Sequence, residues 1–146
     1  MAEKHRVSYK TLIFEHDAIE QASCELLDAV EESGTSVEAL RAMLDRLAAL
    51  VEGHVRREED ILHNLGQDQL DGPWARKWKE AASAFDQLCA DWTTFLHQWT
   101  AFEITRRRQE FVVASRSIFT RLNERVRFET ASFYALALQS GAITLR

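Results

Sequence analysis

The sequence predicts an all-α protein, an antiparallel up-down-up-down bundle of four helices. Three observations carry that prediction. Proline occurs once and glycine five times in 146 residues, too little punctuation for a turn-rich β sandwich. Apolar residues recur at spacings of three and four over long stretches, and alternating strand patterns are missing. The breaks between those stretches are short, which makes sequential helices antiparallel neighbours within one domain over residues 1–146.

The first helix is expected over residues 8–32, stopped by Ser33-Gly34. The second spans 36–65, with Ser36 as its N-cap, Glu38 close behind and Gly66 beyond its end. The loop GQDQLDGP then leads to Pro73, whose fixed φ and missing N–H suit the first turn of a third helix over 73–102. The fourth is expected over 105–139, before Ser140-Gly141. At 3-4 spacing the inward seams read Leu12, His16, Ile19, Ser23, Leu26, Val30 in the first helix, and Leu40, Leu44, Leu47, Val51, His54, Glu58, Ile61, Leu65 in the second. The third seam is apolar throughout: Trp78, Ala81, Phe85, Leu88, Trp92, Phe95, Trp99, Phe102. Such a stripe reads as core packing rather than an aromatic cofactor box. The fourth reads Phe111, Ser115, Ile118, Leu122, Arg125, Glu129, Ser132, Leu136.

Composition narrows the classes of function. Apolar residues make up 46% and charged residues 28%, the balance of an ordinary globular domain. No apolar run could span a bilayer and MAEKHRVSYK has no signal-peptide core, so we expect a cytoplasmic protein without a membrane partner. Cys24 and Cys89 are too few for a disulfide framework and lack zinc spacing, so they are expected as reduced thiols packed in the core. The net charge is −5, but residues 104–146 carry 8 basic and 3 acidic side chains against 10 and 20 before them. We read Arg106-Arg107-Arg108 as a helix start or loop packed on acidic helices of its own domain, not as a nucleic-acid patch.

Polar residues interrupt three of the four seams. His16 lies about nine residues into the first helix, His54 and Glu58 seven to eleven residues before the end of the second, and Arg125 and Glu129 ten to fourteen before the end of the fourth. Antiparallel packing at about 1.5 Å per residue brings all five into one layer. Buried without partners, such groups cost several kcal/mol, so they are normally paired or bound to metal. His54 and Glu58, one turn apart, can reach a single centre.

These residues resemble the hemerythrin-like (HHE cation-binding) family, a four-helix bundle that holds a pair of irons with histidines and carboxylates from all four helices. LIFEHDAIE is similar to the family's His-Asp motif, HVRREEDIL to its His-x-x-x-Glu-Glu stretch, and RVRFETASFY stands where a second His-x-x-x-Glu belongs. The resemblance implies ligand roles for His16, His54 and Glu58, and a bridging-carboxylate role for Glu129. Two positions depart from the pattern: Arg125 replaces the fourth helix's histidine and Phe85 the third's. His97 is twelve residues, roughly 18 Å, too far along to substitute, and His5 and His63 lie off the layer. Arginine has no lone pair to give and carries a fixed positive charge, and Phe85 offers no donor.

Two readings of the centre stay open. One iron or another cation is held by His16, His54, Glu58 and Glu129; or no metal binds, and Arg125 bridges Glu58 and Glu129 in its place. No catalytic residue is assigned. The resemblance implies a binding or sensory protein rather than an oxygen carrier, with a mononuclear iron redox enzyme and a metal-free structural or interaction bundle as alternatives. Trp74, Phe128, Phe133 and Tyr134 gather at the same end; we expect them to cover the polar layer, the alternative being an exposed patch for a homodimer or another protein partner.

Overall fold

The computed structural model describes residues 7–32, 34–63, 75–140 and 143–145, and the side chains of these except 62, 63, 75–81, 136 and 140. Helices α1 (Tyr9–Glu31), α2 (Val37–His63), α3 (Ala75–Gln98), α4 (Ala101–Arg106), α5 (Arg108–Phe128) and α6 (Tyr134–Ser140) follow in order, and a π-helical turn (Glu129–Phe133) joins α5 to α6. Helix α1 packs on α2 and α5, α3 on α5, and the short α4 on α2 and α5. A strand is absent among the described residues. The nearest thing to one is a single parallel bridge in which Tyr9 N–H donates to Thr144 O (2.6 Å) and Thr144 N–H to Val7 O (3.1 Å), tying the C-terminal segment to the start of α1.

Local chemistry explains where the helices begin and end. Ser8 Oγ accepts from Thr11 N–H (3.1 Å) and Ser36 Oγ from Ala39 N–H (3.1 Å), each satisfying an otherwise orphaned first-turn donor. The stop of α1 differs from the glycine end expected at Gly34. Glu32 leaves the helix in an extended conformation (φ −79°, ψ 120°), and the Arg108 guanidinium donates to the carbonyls of Val30, Glu32 and Thr35. One residue of the basic run thus neutralises the carbonyl end of α1. Arg106 and Arg107 both pair with Glu103, and Arg107 lies over the Trp99 ring at 4.7 Å.

The seams of the first two helices are as predicted. All six residues of the α1 seam are buried, as are Leu40, Leu44, Leu47, Val51, His54, Glu58 and Ile61 on α2; Leu65 lies outside the described residues. In α3, Leu88, Trp92 and Phe95 are buried with Trp99 just beyond the helix end, and Phe85 is half-buried; Trp78 and Ala81 fall among the side chains left undescribed. Trp92 stacks on Phe95 (5.8 Å), and Phe111 meets Phe95 (6.0 Å) and Trp99 (5.2 Å), so aromatic rings fill the middle of the core.

The second half of the chain departs from expectation in two places. The third helix ends at Gln98 instead of Phe102, because Thr100 is extended (φ −69°, ψ 165°) and its Oγ1 accepts from Glu103 N–H at 3.2 Å, starting α4 there rather than near Thr105. Phe102 is therefore not a seam residue: it is 71% exposed, and Ile104 is buried instead. A second break at Arg107 separates α4 from α5. The other departure is the π-helical turn, in which Tyr134 N–H bonds to the carbonyl five residues back, Glu129 O. The extra residue rotates everything after it. Ser132, expected on the seam, is exposed, while Phe133, Tyr134 and Ala137 are buried. Leu136 is one of the undescribed side chains. The cysteines also differ from a pair of core residues, since Cys24 is exposed and Cys89 half-buried; both are free.

Candidate metal centre

Three elements place donor atoms at one point. Helix α1 supplies His16, α2 supplies His54 and Glu58 one turn apart, and the π-helical turn supplies Glu129. All four side chains are at least nine-tenths buried, and one ligand atom from each lies within 4.8 Å of the others. His16 Nε2 is 2.9 Å from His54 Nε2 and 3.0 Å from Glu129 Oε1; His54 Nε2 is 2.7 Å from Glu58 Oε1 and 3.2 Å from Glu129 Oε1. The layer inferred from helix registers is therefore a single cluster.

What surrounds the cluster decides which way its nitrogens face. The Thr130 hydroxyl donates to Val126 O (3.2 Å), so its oxygen accepts from His16 Nδ1–H at 3.0 Å. Glu15 Oε1 accepts from His54 Nδ1–H at 3.2 Å, and Arg57 Nε donates to the other Glu15 oxygen. Both imidazoles are thereby assigned a proton on the outer nitrogen and turn the Nε2 lone pair inward. Two lone pairs 2.9 Å apart, with two carboxylate oxygens beside them, repel unless positive charge lies between them. A metal ion meets that need. Ligands about 2.1 Å from one cation and a right angle apart are about 3 Å from each other, which is the spacing seen here. The donor set fits a single cation.

Protons are the other way to supply the charge. Burial works to lower His54, but hydrogen bonds to Glu129, Glu15 and Glu58 outweigh it and raise the imidazole to about 11. Burial and the neighbouring Glu129 carboxylate push Glu58 up to about 8. Glu129 also feels the burial, yet hydrogen bonds from Glu58, His16 and His54 hold it well below the usual carboxylate range. Without a metal, the layer is a protonated His54 and Glu58 around an ionised Glu129.

Arg125 and Phe85 sit at the rim. Arg125 Nε donates to Glu129 Oε2 at 2.9 Å, and its guanidinium carbon lies 4.4 Å over the Phe85 ring and 5.4 Å from that of Phe128. It does not bridge the two carboxylates as the metal-free reading expected. Glu58 instead bonds His54 and the Tyr134 hydroxyl, which occupies the space between the helices (3.2 Å to Glu58 Oε1). On the α3 side the cluster borders a cavity of about 30 Å³ walled by Phe85, Leu88, Cys89, Trp92 and Arg125. Burial lifts the Cys89 thiol to about 11, so it stays protonated, and among the described residues α3 adds no anionic donor to a cavity whose one carboxylate is Glu129 of the cluster itself. On the other side a groove of about 290 Å³, lined by Asp17, Glu20, Arg127 and Thr130, reaches His16 from the surface.

Three residues of the centre escaped the sequence reading, Thr130, Glu15 and Arg57; Tyr134, expected only as part of the cover, reaches the ligands with its hydroxyl. Glu15 and Thr130 directly precede and follow expected ligands, so adjacency was a signal for both. Of the aromatics expected as a cover, Phe133 and Tyr134 are buried, Phe128 is 40% exposed, and Trp74 lies outside the described residues. His97 is exposed, away from the cluster. Comparison with curated proteins and with solved structures finds no match. The model of the hemerythrin HHE cation-binding domain matches residues 7–137, nearly the whole chain, and the chain belongs to that family.

Proposed function

We propose that this protein is a hemerythrin-like cation-binding protein that holds one metal ion, iron, through His16, His54, Glu58 and Glu129, and that it binds or senses rather than carries oxygen. The observation that carries the reading is the inward pair of Nε2 lone pairs, fixed by Thr130 and Glu15 and faced by two carboxylate oxygens. Iron held there would supply a Lewis-acidic, redox-active centre. The chain's own residues orient the imidazoles and neutralise the outer Glu129 oxygen through Arg125. The apolar and cationic wall on the α3 side supports one ion rather than two.

The up-down-up-down order of the bundle belongs to the same reading. It is supported by contacts between opposite helix ends: Arg41, early in α2, donates to the Leu96 and Trp99 carbonyls at the end of α3, and Arg108, starting α5, donates to those ending α1. No described helix is long and apolar enough to cross a membrane. We place the protein in the cytoplasm, where its free thiols stay reduced, and route its output through a change in the bundle or a partner surface.

Metal analysis of protein purified from an iron-fed culture tests this. About one iron per chain is the expected result, and two per chain would overturn the ligand argument. A second reading is favoured by the height of His54 and by the Arg125–Glu129 pair: a centre filled by protons, doing interaction work only. No metal in that preparation, or after reconstitution, would establish it instead.

A further inference from the structure

The π-helical turn delivers a phenol to the centre, and nothing in the family pattern described above asks for one. We propose that Tyr134 is itself a metal ligand, its phenolate oxygen completing a site for ferric iron with His16, His54, Glu58 and Glu129. This rests on the single-ion reading above and adds to it the oxidation state that the site selects.

Geometry is the first support. Tyr134 Oη lies 2.6 Å from His16 Nε2, 3.1 Å from His54 Nε2 and 3.2 Å from Glu58 Oε1, the same separations the other donor atoms keep among themselves. The residue is fully buried. Its ring is held on several sides, stacked on His16 (4.9 Å, 24°), edge-on to Tyr9 (6.3 Å) and tilted against Phe133 (5.6 Å). The oxygen is therefore aimed as firmly as the imidazoles are.

The backbone is the second support. A π-helical turn is a rare, less favourable insertion in an α-helix and concentrates at functional sites. Here its effect can be read directly. The turn starts at Glu129 and ends where Tyr134 N–H closes on Glu129 O, so the same distortion presents the carboxylate and the phenol to one point. Continued as an α-helix, the seam would have run through Ser132, which lies exposed.

Charge is the third. Glu58, Glu129 and a phenolate carry three negative charges, which balance one ferric ion. A divalent ion is balanced by the two carboxylates and leaves the phenol no reason to ionise. Arg125, on the outer oxygen of Glu129, adds a positive charge at the rim rather than at the centre. On binding, the oxygen–hydrogen bond of Tyr134 is exchanged for an oxygen–iron bond, and its proton leaves to solvent with those of Glu58 and of His54 Nε2, as metal sites with ionised ligands require; no electron moves.

The test is a titration of metal-free, full-length protein with ferric nitrilotriacetate and, separately, with zinc, read by visible absorption and resonance Raman scattering. One ferric equivalent is expected to produce a visible phenolate-to-iron charge-transfer band and enhanced tyrosine ring vibrations, while zinc produces neither. In Tyr134→Phe the band disappears and ferric affinity falls by about tenfold or more, whereas zinc affinity changes far less. Wild-type protein that binds a ferric ion without the band, or a Tyr134→Phe variant with the wild-type spectrum and affinity, overturns the tyrosine assignment and leaves the single-ion site standing. Wild-type protein that binds no ferric ion overturns both. Should the variant fail to fold, the wild-type Raman spectrum decides alone.

Discussion

Around Leu26 and Val30 of α1 and Leu40 to Leu47 of α2, the bundle is walled by aliphatic side chains and closed by Trp92, Phe95, Trp99 and Phe111. A few turns away on the same helices, the same seam positions hold His16, His54, Glu58 and Glu129. The helical spacing is common to both ends, and the burial is equally complete. The physics differs. At the apolar end each side chain adds its own transfer free energy, about 1.5–3 kcal/mol for a large one, and its neighbours do not depend on its chemistry. At the polar end no group is favourable alone, because each was desolvated at a cost that only its partners offset. One end holds the fold, and the other is held by it.

The largest effect should therefore come from the apolar end. Phe111→Ala, at a site with no exposure and rings on two sides, is expected to cost about 3–5 kcal/mol in guanidinium chloride unfolding, with metal content per folded chain unchanged. A cost under about 1 kcal/mol would mean that the aromatic layer does not hold the bundle.

Next in size is the response of the metal-free protein to pH, which should belong to the polar end alone. His54 is raised from 6.5 to about 11, so the folded state binds its proton more tightly than the unfolded state. That contribution is complete below 6.5 and is lost as pH rises towards 11. Glu58, raised from 4.5 to about 8, has the same sign over a lower window. Glu129, held low, has the opposite sign, and its contribution fades only as pH falls below 4.5. Thermal melts should then show stability falling by on the order of 3 kcal/mol between pH 7 and 10. The fall should shrink in His54→Leu and stay intact in Phe111→Ala. A flat profile in the wild type would show that the layer does not hold these protons.

The contrast also explains what the sequence could disclose. Seams on α1 and α2 were legible because regular helices convert spacing into facing, and a histidine at a leucine position is conspicuous. The break at Thr100 was legible in principle. Thr100-Ala-Phe-Glu103 is a capping-box pattern, masked by the unbroken apolar stripe that Phe102 extends in the sequence. The π-helical turn was not legible. No residue type demands it, and its consequence is that Tyr134, two places off the expected seam, points inward while Ser132 points out. The geometry of Arg125 was equally closed to spacing arguments. Its level was right, but whether it spans two carboxylates or binds one depends on what else, here a phenol, fills the gap.

Arg125 supplies the third prediction. Replacing it with histidine restores the family's donor type and removes a fixed charge from the rim of the site. Arg125→His is expected to tighten metal binding by about tenfold or more, measured by competition with a chelator. The metal-free protein should lose about 2 kcal/mol, because the outer oxygen of Glu129 loses its charged partner. Unchanged metal affinity would count against a guanidinium that faces the centre.

The smallest and most discriminating comparison uses two inward hydroxyls, one at each end. Thr130 Oγ1 accepts from His16 Nδ1–H and donates to Val126 O, so it links a ligand to the backbone. Ser115 Oγ, buried in the apolar end, has no hydrogen-bond partner among the described residues. Thr130→Val keeps shape and removes the link. It should cost about 1 kcal/mol in stability and about 10–100-fold in metal affinity, since the imidazole loses the acceptor that fixes its tautomer. Ser115→Ala should leave metal affinity alone and be neutral or stabilising by up to about 1 kcal/mol, because an unsatisfied oxygen leaves the core. Equal effects from the two substitutions would erase the distinction between the ends. The predicted divergence would show that a hydroxyl's worth in this bundle follows what it orients and not how deeply it lies, since the half-buried Thr130 would outweigh the fully buried Ser115.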